Sequence, residues 1–312
     1  MRQLLTSLLV VSLLTGCLDD AKDTIKSTID RHNAKAIIYA SLNGDNDIDV
    51  VDDILPDDEQ LFGKAAMFKN GLAKTLVYCG ADPQTDTGSG SMDFEITVTG
   101  TNSYSVTVTF AECRNESVEI NGQYAASFSG DLIFGPQWGD GANATNQTFS
   151  ALTITQLEDN TSVLLEGSIT GNSAFESPLF EFSQTLDFAI ESSQGDASFD
   201  AWTKNITWNI DSQLLTVMIT GNFSAASEEG SYTFEMLEPI SLSVQTNQSE
   251  YDPISAISGK FIITAEDNSS VTVTINDDQT ALLEIDENGD GVIDFEIIIS
   301  LNDINLLNAF DQ

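Results

Sequence analysis

Histidine is almost missing from this chain: His32 is the only one among 312 residues. A Ser-His-Asp triad in the later part of the chain is thereby excluded, and so is a histidine-ligated metal centre. Positive charge is scarce as well, with 11 Lys and Arg against 49 Asp and Glu and a formal net charge of −38. Such a field repels phosphate backbones and anionic headgroups, which excludes nucleic acid as a partner. Cysteine is limited to three, and two of them beside one distant histidine do not fill a zinc shell. No glycine-rich phosphate loop precedes a helical stretch. Carboxylate-pair hydrolysis survives these exclusions, but 37 acids from Cys79 onward single out no particular pair. The apolar run from Leu4 to Leu14 is far short of the roughly 20 residues that a permanent membrane-spanning helix needs.

That run comes after a positive start at Arg2, and the two together read as a secretory signal. It ends in Leu14-Thr15-Gly16-Cys17. This resembles the lipobox of bacterial lipoproteins, in which small residues precede a cysteine that is diacylated, freed by cleavage before it and then given a third acyl chain. The resemblance implies a signal peptide over 1–16 and a lipid anchor on Cys17. In that family Asp directly after the cysteine favours the inner membrane; here Leu18 stands there, which implies the outer membrane. More than one acyl chain makes such anchoring stable.

The two other cysteines, Cys79 and Cys113, form an even pair in an oxidising compartment and read as a disulfide. Closing a loop of 34 positions is worth on the order of 3–4 kcal/mol when unstrained.

Eight of the eleven basic residues precede residue 79, where the residue pattern also changes. Residues 17–56 read as a lipidated tether, with a solvated helix over Asp19–Lys35 and an acidic linker behind it. Pro56-Asp57-Asp58-Glu59 suits a first helical turn, and Leu61, Ala65, Phe68, Leu72 and Leu76 continue at three- and four-residue spacing. An amphipathic helix over 57–78, packed on the β domain, is the expectation.

From about residue 92 the period switches to two. Phe94, Ile96 and Val98 alternate with Glu95, Thr97 and Thr99, and the same holds for Val271, Val273 and Ile275. These are antiparallel strands with one dry and one wet face, separated by clusters of Gly, Asn, Asp and Ser. A short pattern recurs at Ile120-Asn-Gly-Gln-Tyr124, Ile169-Thr-Gly-Asn-Ser173, Ile219-Thr-Gly-Asn-Phe223 and Ile257-Ser-Gly-Lys-Phe261. It suits either a glycine hairpin turn or a bulge inside a strand. The expected fold is mainly β, a large antiparallel up-and-down meander over 79–312 behind a short helical N-terminal segment. The meander closes as a barrel, stacks as a sandwich or stays a half-barrel. The last arrangement resembles, at fold level, the periplasmic lipoprotein carriers whose curved sheet is covered by helices.

One motif points to a metal. Asp286-Glu-Asn288-Gly-Asp290-Gly291-Val292-Ile293-Asp294 resembles the D-x-N-x-D-G calcium loop of EF-hand and dockerin-type proteins. Alternating oxygen ligands with a bend glycine let one short loop wrap a hard cation. The resemblance implies Asp286, Asn288, Asp290, the Val292 carbonyl and Asp294 as ligands. Glu296 falls at loop position 11 rather than 12, and the flanks read as strands, so a β-hairpin version of the loop is expected; a solvated acidic turn is the alternative. A degraded echo runs from Asn43 to Asp49.

Trp138, Trp202, Trp208, Tyr104, Tyr124 and Tyr232 are either core or rim residues or a sugar-stacking platform. Three functions fit these observations. The first is a membrane-anchored lipoprotein with a non-enzymatic structural or binding role, stabilised by calcium if the loop binds it. The second is a carrier of a hydrophobic ligand, which needs an apolar cavity. The third is a carbohydrate-binding or carbohydrate-active surface protein.

Overall fold

The computed structural model describes residues 27–43, 73–78, 89–100, 102–114, 118–130, 141–158, 160–192, 196–225, 228–247, 250–304 and 306. Among the described residues one helix, here α1 (Ala34–Asn43), precedes fourteen strands. These are β1 (Ala73–Tyr78), β2 (Ser89–Gly100), β3 (Ser103–Arg114), β4 (Val118–Gly130) and β5 (Gly141–Gln156). They continue as β6 (Ser162–Glu176), β7 (Leu179–Ser192), β8 (Ala197–Asn209), β9 (Leu214–Ala225) and β10 (Glu228–Asn247). The last are β11 (Glu250–Ala265), β12 (Ser270–Ile275), β13 (Thr280–Asp286) and β14 (Phe295–Ser300), succeeded by a 3-10 turn, Leu301–Ile304. Each strand pairs antiparallel with the next in chain order, in one sheet that does not close. The expected meander is there, and it takes the open form.

Two expectations are corrected. Residues 73–78, assigned by spacing to the end of the 57–78 helix, form β1 and pair with β2 from Ala73↔Ile96 to Tyr78↔Ser91. Thr75, Val77 and Tyr78 favour strand geometry, and a neighbouring strand to pair with outweighs the four-residue spacing of Leu72 and Leu76; residues 57–72 lie outside the described residues. The second correction concerns the tether. Within Asp19–Lys35 the described residues 27–30 are not helical, and the helix starts only at Ala34. It is not a solvated element either, because Ile29, Ile37, Ile38 and Leu42 are buried in the same core as the sheet.

The helix starts where it does because Asp30 caps it. The Asp30 carboxylate accepts from His32 N–H at 2.6 Å and Asn33 N–H at 3.0 Å, while Asn33 Oδ1 accepts from Asp30 N–H at 2.9 Å. This reciprocal arrangement is a capping box with Asn in the usual Glu position. Ahead of it the chain is pinned to the β10–β12 end of the sheet. Ser27 Oγ donates to the Ser231 carbonyl at 2.7 Å and accepts from Glu266 N–H at 2.9 Å, and Ile29 N–H donates to Ser269 Oγ at 2.6 Å. Burial works against the charge on Asp267, but hydrogen bonds from Ser269 and from the Thr28 side chain hold its carboxyl below the ordinary value.

The dry faces of the strands, with α1 and the 3-10 turn, make one continuous core. Aromatic contacts run along it from Tyr124–Phe149 (5.4 Å between centroids) through Phe149–Phe188 (5.1 Å). They resume at Trp202–Phe234 (5.3 Å) and Phe234–Phe261 (4.8 Å). The pairing register shifts at bulges along these strands. Ala151 on β5 and Ala201 on β8 have φ of 47° and 49°, and each faces a glycine with positive φ on a neighbouring strand. A Cβ on Gly122 would collide with the Ala151 carbonyl, and one on Gly221 would come within 2.5 Å of Trp202 Cα. The recurring Ile-x-Gly pattern is therefore an in-strand device, not a turn. Gly122 and Gly221 sit opposite bulges, whereas Gly171 and Gly259 give room to Thr145 Oγ1 and Ile240 Cγ1 on adjacent strands.

Candidate functional site

A hollow of about 580 Å³ crosses β4 to β8. Its lining is set by register. Ser129, Ala144, Asn172, Ser183 and Asn205 stand directly opposite one another on successive strands. Two residues further along, Ala142, Ala174, Glu181 and Thr207 form a second row. Directly opposed residues share a face, and residues two apart on one strand do so as well. Both rows thus belong to the wet face. Between them lies the row Gly130, Asn143, Ser173, Phe182 and Ile206, in which Asn143 and Ile206 are buried on the dry face. The hollow is a groove on the wet face: two rows of short side chains, with backbone at its floor.

The groove combines methyl groups and other carbon surface with amides and hydroxyls, and among the described residues Glu181 is its one acidic side chain and no lysine, arginine or histidine lines it. Beneath it the dry face carries an unusual residue, Lys204, 2% exposed in a run where Trp202, Ile206 and Trp208 are also buried. The sequence shows it, since Lys204 occupies the apolar phase of Trp202-Thr-Lys204-Asn-Ile206-Thr-Trp208. The groove itself had no such signal. Its rows exist only once five strands are in register.

Of the six aromatics, four take the core reading rather than the platform. Trp202, Trp208, Tyr124 and Tyr232 are core residues, and Tyr104, half-buried, stacks on Phe128 at 5.3 Å. Trp138 lies outside the described residues.

The Asp286–Asp294 loop joins β13 to β14, so it is a hairpin loop. Asp286 is buried, and its carboxylate gathers the turn around itself. Oδ1 accepts from Gly289 N–H at 2.8 Å and Asp290 N–H at 3.3 Å, and Oδ2 accepts from Gly291 N–H at 2.7 Å. Gly289 and Gly291 supply the positive φ values, 70° and 82°. Asp294 accepts from Glu287 N–H at 2.9 Å, Asn288 from Asp290 N–H at 3.0 Å, and Asp290 from Val292 N–H at 2.8 Å. The expected ligands thus share one loop, but their oxygens face backbone donors. Among the described residues no three Asp, Glu, His or Cys side chains converge to hold a metal ion. Arg31 spans the hairpin, 3.4 Å from Glu287 Oε1 and 3.8 Å over the Phe295 ring.

Cys113 on β3 is half-buried against the core. Cys17 and Cys79 lie outside the described residues, as does the Asn43–Asp49 echo beyond Asn43. No protein-family model, curated protein or solved structure matches the chain.

Proposed function

We propose that this chain is an exported lipoprotein, cleaved before Cys17, anchored to the outer membrane through lipid on that residue, and devoted to binding rather than catalysis. The observation that supports the binding role is the wet-face groove over β4–β8, a formed hollow lined by short polar side chains and methyl groups. The lipobox at Leu14–Cys17 carries the anchoring. Replacing Cys17 by Ala in the full chain, expressed in a bacterium with two membranes, tests the anchor. The native protein should fractionate with membranes and yield an acylated N-terminal peptide by mass spectrometry. Native protein found soluble and unacylated would end the reading.

The disulfide Cys79–Cys113 belongs to this proposal. The chain leaves β1 at Tyr78, level with Ser91 of β2 and through it with Ala111 of β3, two residues from Cys113. Peptide mapping without reductant checks it.

Calcium at the Asp286–Asp294 loop is a second reading, favoured by the three N–H groups that Asp286 already gathers and by the two positive-φ glycines. Its oxygens face backbone donors rather than one point, so the affinity belongs in the weak range of about 10⁻⁴–10⁻³ M.

A further inference from the structure

We infer that the wet-face groove binds a neutral oligosaccharide laid across the strands; this rests on the groove being the binding surface proposed above. Charge narrows the ligand first. A chain of net charge −38, with Glu181 the acidic side chain among the described residues of the groove and no basic one beside it, disfavours nucleic acids, anionic glycans and acidic peptides. Hydrogen-bond chemistry narrows it further. Asn172, Asn205, Ser183 and Thr207 each offer both donors and acceptors, which is what sugar hydroxyl groups also offer.

Shape then separates a sugar from a peptide. Extended peptides gain affinity by pairing with an open strand edge. β4 to β8 are interior strands, flanked on both sides by partners, so a peptide in the groove finds no main-chain ladder. A sugar needs none. The methyl groups of Ala142, Ala144 and Ala174 suit the C–H face of a pyranose ring, and their small size lets the ring approach the sheet. The rows run perpendicular to strands spaced about 4.8 Å apart, close to the length of one pyranose unit. Successive rings therefore meet successive strands, and five strands present a span of roughly 19 Å.

The test uses the full chain in detergent micelles, with maltohexaose, cellohexaose and mannohexaose as neutral probes and a hexagalacturonate as the anionic one. Affinity is read by calorimetry and the site by amide chemical shifts. At least one neutral hexasaccharide should bind and shift the amides of 142–144, 172–174 and 181–183. Hexagalacturonate should not bind. Ala142→Trp, on the wet face, should weaken binding at least tenfold by filling the groove, and Asn172→Ala about threefold or more, with unchanged melting temperatures. Failure of all three neutral sugars, or binding indifferent to both variants, overturns the sugar assignment. Membrane fractionation of the Cys17→Ala chain is independent of that result, so loss of the sugar and loss of the anchored-lipoprotein reading are told apart.

Discussion

The two halves of this sheet use the same alternating pattern to different ends. In β9–β13 the dry face is sealed: Leu215, Val217, Ile240, Phe261, Val273 and Leu283 are all at 0% exposure. The N-terminal segment 27–43 supplies part of that seal, with α1 packing against β9 and the 3-10 turn. In β4–β7 the same phase is looser near the groove, where Ala126, Phe128, Ser173, Phe182 and Gln184 are half-buried. Burial is most complete in the half that the N-terminal segment covers, and the hollow lies in the other. If the groove binds as proposed, a tightly packed body stands beside a looser binding face, a common division of labour because regions that bind are drawn from the less stable part of a fold.

Substitutions sharpen the contrast. Phe261→Ala, in the sealed half, should cost about 3–5 kcal/mol in urea unfolding. Phe182→Ala, half-buried beneath the groove, should cost less than half of that; equal costs would erase the distinction between the halves. Ile38→Ala on α1 should cost about 2–5 kcal/mol, whereas a solvated tether would show almost none. Asp30→Ala removes the helix cap and should cost about 1 kcal/mol.

The pH dependence comes from Asp267, which fastens residues 27–30 to the β11–β12 turn. Its folded carboxyl lies below its ordinary value. The stability it contributes is therefore complete above about pH 4 and is lost as the pH falls through the folded value. Asp267→Asn should flatten the acid limb of stability below about pH 4. The smallest effect belongs to the hairpin loop. Millimolar calcium should raise the melting temperature by roughly one to five degrees, about 0.4–1.4 kcal/mol at such affinities, and Asp290→Ala should remove the shift. An unchanged melting temperature would leave Asp286–Asp294 as a hydrogen-bonded acidic turn.

Much of this architecture was legible in residue order. Phe94-x-Ile96 and Val271-x-Val273-x-Ile275 declared strands by their period, and Asp286-x-Asn288-x-Asp290-Gly291 between two such runs declared a hairpin loop. The errors have physical causes. Charged residues around Lys22 to Lys35 made the N-terminal segment read as solvated, although Ile29, Ile37, Ile38 and Leu42 already formed an apolar face. The four-residue step from Leu72 to Leu76 mimicked a helix, because a spacing of four satisfies both periods. Trp202 and Trp208 were ambiguous until pairing placed them on the dry side. The groove was illegible in principle: Ser129, Ala144, Asn172, Ser183 and Asn205 are far apart in the chain, and only register makes them one row.

Hydrogen exchange of the full chain in micelles, read by mass spectrometry, tests the division most directly. Amides of α1 should exchange as slowly as those of β11–β13, through global unfolding alone, while segments 142–148 and 172–183 exchange faster. Exchange of residues 34–43 at the rate of free chain would contradict the account, because the N-terminal segment would then be a tether rather than part of the core.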